Sequence, residues 1–225
     1  MHAPLSIIIP TLDSQHDLAP TLTALREGKG AGLIHEIVVS DGGSSDQTAT
    51  RATQSGAILV SGARGRGSQL RRGACAASGA WLLFLHADTH LSPGWAGDVD
   101  AHIRRHPDRA ACFRLAFRAG GVAPVIVARF ANLRTRFAGL PYGDQGLLIP
   151  REVYDRIGGY PDIPLMEDVA IARALRGDIR LLGTKAATDP TRFQEHGWVR
   201  HGAGNMWRLV RYLTGTPPED LDRTY

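Results

Sequence analysis

Short apolar runs without polar alternation mark the chain at Leu5–Ile9, Leu33–Val39 and Trp81–Leu85, and each stops abruptly in polar residues. Runs of this kind fit strands covered on both faces of a sheet. Between them the apolar positions take helical spacing. Leu18, Leu22 and Leu25 share one face of a helix over residues 17–26. Ser44 or Ser45 can cap a helix from Asp46 to Ser55, which Gly56 ends. A short strand is expected at Ala57–Val60. Ser68 opens a helix whose Leu70, Ala74 and Ala77 face inward, with Gly79 at its end. Pro93 opens another, in which Trp95, Val99 and Ile103 recur every four residues. Strands alternating with helices predict a largely parallel sheet with right-handed crossovers.

The pattern changes after His106-Pro107. Ala111–Arg118 alternates, with Phe113, Leu115 and Phe117 on one side and Arg114 and Arg118 on the other, which predicts a strand with one less buried face. A helix after Pro124, a strand at Leu147–Ile149 and a helix over Glu167–Arg176 closed by Gly177 follow. This half is expected to add mixed or antiparallel strands. Asn205–Leu213 reads as a basic amphipathic helix, with Met206, Leu209, Val210 and Leu213 apolar beside Arg208 and Arg211. Packing on its own domain is the preferred reading; a membrane surface or a second subunit in a homodimer are the alternatives. Without repeats, low complexity or a linker, the chain reads as one α/β domain, in segments of about 1–106, 107–190 and 191–225.

Composition narrows the class. The 225 residues are 43% hydrophobic and 21% charged, as in ordinary globular proteins. No apolar run approaches the ~18 residues of a spanning helix, and the start lacks a signal-peptide pattern, so a cytoplasmic protein is expected. Cys75 and Cys112 have no metal spacing and read as reduced thiols, Cys75 as a packed one. The net charge is +4, with basic groups at Arg64, Arg66, Arg71 and Arg72 and at Arg192, Arg200, Arg208 and Arg211. No zinc spacing or aromatic–basic interleaving accompanies them, which argues against a nucleic-acid partner and for a nucleotide diphosphate.

The candidate chemistry sits where strands end. Trp81–Leu85 runs into His86-Ala87-Asp88-Thr89, and ligands of open α/β sheets bind beyond the carboxyl ends of strands. Asp88 is placed to hold Mg²⁺ or Mn²⁺ against a diphosphate, or simply to cap the following turn. His86 is a second metal ligand, a hydrogen-bond partner of a ribose or phosphate oxygen, or structural. Leu33–Val39 delivers Asp41 into a Gly-Gly turn, and Leu5–Ile9 stops at Pro10, Thr11 and Asp13. In Gly65-Arg66-Gly67-Ser68-Gln69-Leu70-Arg71-Arg72 the glycines and a helix start suit an anion, with Arg66, Gln69 and Arg72 as candidate contacts. Glu167 and Asp168 open a helix, where carboxylates serve the helix dipole or chemistry.

Four ordered motifs, Ser6–Thr11, Val38–Thr48, Phe84–Asp88 and Met166-Glu167-Asp168, resemble those of family 2 glycosyltransferases, the large inverting group with the GT-A fold. The stretch from Gly65 to Asp88 is most similar to a bacterial subgroup labelled arsenosugar-biosynthesis glycosyltransferase-like. The resemblance implies a mainly parallel, Rossmann-like GT-A sheet, with residues 1–106 binding a nucleotide sugar and residues 107–190 an acceptor. It implies that Asp41 accepts from a uracil N–H, that Pro10, Thr11 and Asp13 line the base and ribose, and that Asp88 binds the metal. It implies that Asp168 is the catalytic base with Glu167 beside it, and that residues 191–198 close over the diphosphate. Where relatives carry Asp-x-Asp, this chain has His86-Ala87-Asp88. Asp144 and Gln145, in a glycine-flanked loop, are candidates on the acceptor side. A nucleotidyltransferase, or a binding protein with a decayed motif, are the competing functions.

Overall fold

The computed structural model describes residues 5–222. The elements in order are β1 (Leu5–Thr11), α1 (Leu18–Ala24), α2 (Arg26–Gly30), β2 (Ile34–Asp41), α3 (Thr48–Gln54), β3 (Ile58–Ser61), α4 (Arg66–Ala76), β4 (Trp81–Phe84), β5 (His90–Leu91) and α5 (Trp95–Arg105). Then come β6 (Ala110–Phe117), α6 (Val122–Ala138), a 3-10 turn at Gly143–Gln145, β7 (Leu147–Pro150), α7 (Arg151–Arg156), α8 (Glu167–Ala174), β8 (Ile179–Thr188), α9 (Thr191–His196), α10 (Trp198–Leu213) and α11 (Pro218–Asp222). All eight strands join one sheet in the order β3-β2-β1-β4-β7-β6-β8-β5. β1 pairs in parallel with β2 and β4, β2 with β3, and β6 with β8. β7 runs antiparallel between β4 and β6, and β5 antiparallel beside β8. The carboxyl ends of β1, β2, β3, β4, β6 and β8 therefore lie along the same edge.

The uninterrupted apolar strands are explained by burial on both faces. Successive side chains of a strand point to opposite sides. Ile7 and Ile9 enter one core with Val39, Leu83, Trp95 and Phe113. Ile8 enters the other with Val38, Phe84, Leu70 and Tyr154. Both cores join residues before and after His106, so the two halves are one packed body. Burying each such aliphatic side chain contributes about 1.5–3 kcal/mol.

Several local expectations change. The helix over 17–26 is two short helices meeting at Leu25. Ser44 and Ser45 are not caps: α3 starts at Thr48, whose N–H donates to Asp46 Oδ1 (2.9 Å). α4 starts at Arg66, before Ser68, whose hydroxyl donates to the Gly65 carbonyl (2.9 Å). Cys75 is exposed and Cys112 is the buried thiol. β8, with its small residues and central Gly183, lacks a strong period-2 signal and is seen only through its pairing with β6 and β5. α10 starts earlier than expected, at Trp198, and packs on its own domain through Leu209, which clusters with Met166, Val169 and Leu221, while its opposite side stays exposed.

Helix α4 lies close on the sheet because Gly73 has no side chain. A Cβ there would come 2.4 Å from Ile8 Cγ2. Gly73→Ala is expected to destabilise the protein by about 1–3 kcal/mol through overpacking. Urea unfolding should show a lower midpoint at unchanged slope. An unchanged midpoint would mean that α4 can shift off β1 freely.

Candidate active site

The loops after β1 and β2 hold each other. Gly42 N–H donates to the Thr11 carbonyl (2.8 Å). Asp41, 3% exposed, accepts at Oδ1 from Thr11 Oγ1 (3.1 Å) and Ser44 Oγ, and at Oδ2 from Gly43 and Ser44 N–H (2.9 Å each). Burial alone would raise this carboxyl, but the hydrogen bonds, led by those of Ser44, hold it below the usual range. Asp13, in the left-handed region at φ 47°, accepts from Ser45 N–H (2.8 Å) and ties the two loops together. Pro10 stands half-buried at the end of β1.

Helix α4 braces these loops from behind. Gln69 Nε2 donates to the carbonyls of Thr11 (2.7 Å) and Ser40 (3.1 Å), and its Oε1 accepts from Gly65 N–H (3.3 Å). Arg72 donates from Nη2 to the Asp41 carbonyl (2.8 Å) and from Nη1 to that of Ala63 (3.4 Å). The direct substrate contacts expected of Thr11 and Gln69 are not what the geometry offers, because their polar atoms are engaged within the chain. They brace the loops after β1 and β2.

Beyond β4 the turn bears His86 and Asp88. The Asp88 carboxylate receives only a long contact from Thr89 Oγ1 (3.4 Å) among the described residues. Its backbone carbonyl accepts from Arg118 Nη1 (2.9 Å), which also donates to His90 Nε2 (2.7 Å), while Arg118 Nη2 pairs with Asp189 (2.8 Å). Arg118 and Asp189 follow the ends of β6 and β8, and sequence reasoning missed both. Asp17 was missed too. Its carboxyl is raised by burial and by the nearby Asp88 and Asp189 charges. The bond from Arg118 ties the His90 imidazole at Nε2 to the turn that carries Asp88. Burial and the Arg66 charge, against the pull of Asp88, push the His86 imidazole down to about 4, so it is neutral near pH 7.

The 3-10 turn brings the opposite wall to His86. A Cβ on Gly143 would lie 2.6 Å from His86 Nε2, so only glycine allows this approach. Gly143 N–H donates to Asp168 Oδ2 (2.8 Å), while Asp168 Oδ1 accepts from Val169 N–H (2.7 Å) at the start of α8. Met166, at φ 66°, puts a non-glycine residue in the left-handed region just before this carboxylate pair, a strain often found at functional sites. Glu167, 2% exposed, faces Arg66 at 3.6 Å; burial and the Asp168 charge raise its carboxyl to about 7, against the pull of Arg66. Gly67 of α4 sits on the same segment, since a Cβ there would meet the Pro161 carbonyl oxygen at 2.2 Å.

Asp144 and Gln145 separate in role. Gln145 is fully buried, accepting from Thr135 Oγ1 (2.8 Å) and donating to the Phe113 carbonyl (3.1 Å), so it anchors the turn and offers a ligand nothing. Asp144 Oδ1 and Arg134 Nη2 are buried without a hydrogen-bond partner among the described residues. Burial, opposed by Arg134 and reinforced by Asp168 and Asp88, lifts the Asp144 carboxyl to about 6. Arg134 also lies over the Tyr142 ring at 3.5 Å.

Among the described residues no three carboxylate, imidazole or thiolate groups converge to hold a metal by themselves. The donor set still fits a cation shared with a ligand, because Mg²⁺ beside phosphates is commonly held by one or two carboxylates plus phosphate oxygens and water. Asp88 supplies a lightly engaged oxygen donor, and His86 a neutral imidazole whose Nε2 edge lies against Gly143.

Comparison with known proteins matches the fold. The fold is shared with S. aureus TarS residues 1–349, at TM-score 0.65 and 18% identity, over 93% of this chain and 64% of that one. The same TarS piece in complex with UDP-GlcNAc gives 0.63 and 18%, over 82% and 58%. Glucosyl-3-phosphoglycerate synthase from Mycobacterium tuberculosis, in complex with Mn²⁺ and UDP-glucose, gives 0.58 and 22%, over 82% and 71%. The chain thus spans less than two thirds of the TarS piece. No curated protein matches it. The profile of glycosyl transferase family 2 matches residues 6–160, more than half of the chain, and on that match the chain belongs to glycosyl transferase family 2.

Proposed function

We propose that this protein transfers a sugar from a nucleoside diphosphate sugar, UDP-linked, to an acceptor hydroxyl with inversion at the anomeric carbon. The observation that carries the reading is the meeting of two carboxylate systems across Gly143: the Asp88 turn on the donor side and Asp168 on the other. The uridine ligands of TarS and the synthase, with Mn²⁺ in the latter, support the donor class and a divalent cation. The acceptor and the sugar are open to screening, and the arsenosugar-like resemblance of residues 65–88 does not choose among them.

The chain's own residues divide the work. Pro10, Asp13 and the Asp41 loop form the wall for base and ribose. For Asp41 to accept a uracil N–H, the Ser44 hydroxyl must rotate away from Oδ1, a change of one torsion. Asp88, with His86 beside it, is the place for Mg²⁺ or Mn²⁺, which when bound neutralises the leaving diphosphate. Arg66 and Arg72 add positive charge near that group, with Glu167 setting the position of Arg66. Asp168 takes the proton of the acceptor hydroxyl as its oxygen bonds to the anomeric carbon and the bond to the diphosphate breaks. The orphaned Asp144 Oδ1 and Arg134 Nη2 fit a sugar hydroxyl, which can donate to the first and accept from the second.

UDP is expected to bind more tightly with Mn²⁺ or Mg²⁺ than in chelator, and Asp88→Ala to abolish the difference. Equal affinity by calorimetry in metal and in chelator would sink the metal role. Asp168→Asn is expected to lower turnover by on the order of 10²–10⁴-fold while leaving UDP affinity unchanged, since Asn can still accept from Gly143 N–H but cannot take a proton. Slow hydrolysis of the donor by water serves as the assay until an acceptor is found; near-normal rates would move the base elsewhere. The raised Asp144 carboxyl makes the folded state bind its proton more tightly than the unfolded chain does. Its stabilising effect is complete below about pH 4 and is lost as pH rises through about 6, on the order of 3 kcal/mol in all. Asp144→Asn should flatten that part of the urea-midpoint profile against pH; an unchanged slope would assign the proton elsewhere.

A further inference from the structure

Helix α6 is packed inside out. Its fully buried positions are Pro124, Ala128 and Thr135, small or polar, while Val122, Ile126, Phe130, Leu133 and Phe137 recur along its outer side. Phe130 is 67% and Phe137 80% exposed. Helix α10, in contact with α6, repeats the arrangement: only Leu209 is buried, and Val199 is 83% and Trp207 63% exposed. Soluble monomers rarely expose contiguous apolar surface of this extent without a partner.

Charge identifies the partner. The two helices carry six arginines and no aspartate or glutamate. On α6, Arg129 and Arg136 lie exposed within the apolar stripe. We propose that the α6–α10 face docks on the surface of an anionic phospholipid bilayer. Phe130, Phe137 and Trp207 enter the boundary between headgroups and acyl chains, and the arginines meet lipid phosphates. A second copy fits poorly, because a two-fold interface would bring together two patches of the same positive charge with no carboxylate on either helix to pair with it. Among the described residues no helix is long and apolar enough to cross a membrane, so the contact is peripheral. The inner sides of the same helices hold the candidate site: Thr135 bonds Gln145, and the Asn205 carbonyl accepts from the Tyr142 hydroxyl (3.1 Å). This placement does not depend on which sugar or acceptor the site takes.

The 225-residue chain can be sedimented with vesicles of phosphatidylcholine alone and of phosphatidylcholine mixed with phosphatidylglycerol, at low and high salt. Binding is expected to require phosphatidylglycerol and to fall with salt. Arg129→Gln with Arg136→Gln should lower it by at least roughly tenfold, each surface arginine being worth about fivefold. Phe130→Ser with Phe137→Ser should lower it as strongly, while melting temperature and UDP affinity stay unchanged, since both rings are exposed. No binding, or equal binding to neutral vesicles, would overturn the proposal. So would a concentration-dependent dimer in sedimentation equilibrium that the Phe130/Phe137 double substitution dissolves, which would assign the face to a second copy.

Discussion

Gly143 is the residue at which the two walls of the candidate site touch, and the candidate site depends on it. Its missing side chain lets His86 approach from the end of β4, and its N–H holds Asp168 at the start of α8. One residue thus sets the spacing between the donor-side turn and the proposed base. A methyl group there would be 2.6 Å from His86 Nε2, so the imidazole or the turn would have to move. Either movement changes the gap between the two carboxylate systems, the geometry on which the proposed transfer chemistry would rely.

The sheet explains why the parts meet. Six strands point their carboxyl ends the same way, and β7, reversed between β4 and β6, returns the 143–145 turn to that edge. A parallel strand in that place would have carried the turn to the far edge. The loops at this edge satisfy themselves before any ligand arrives. Asp41 is saturated by Thr11, Gly43 and Ser44, and Gln69 bridges β1 and β2. Side chains that look available in the sequence are there to stiffen the backbone. Of the buried polar side-chain atoms left without a partner among the described residues, which also include Ser40 Oγ, Arg51 Nε and Arg72 Nε, Asp144 Oδ1 and Arg134 Nη2 are the two that the proposed function gives to a sugar hydroxyl.

Helices α6 and α10 follow a different logic from the rest. Elsewhere apolar faces turn inward, as on α5, where Trp95, Val99 and Ile103 are buried. On α6 the inward face is small because it lies over β6 and the Gln145 anchor, leaving the bulky residues outside. One pair of helices therefore joins the exposed apolar and basic surface, the proposed membrane contact, to the mount of the 142–145 turn.

Much of this was readable from residue order. Apolar runs stopping at Thr11, Asp41 and Asp88 placed three strand ends, because burial on both faces leaves an unambiguous pattern. The glycosyl transferase family resemblance rested on the same positions, and Asp168 at a helix start was visible beside Glu167. Neither β8 nor the Arg118–Asp189 pair was legible, since a strand of small residues takes its identity from the strands it pairs with. The roles of Gln69 and Gln145 were likewise hidden: an amide in a polar stretch looks the same whether it faces solvent or a buried carbonyl. Periodicity is local and survives in the one-dimensional chain, so the sequence alone determined the doubly buried strands, most of the longer helices and the fold class, while the catalytic candidates came from the family resemblance. Which polar atoms find partners, and which face of α6 meets the core, are long-range outcomes of packing that only the tertiary structure decided.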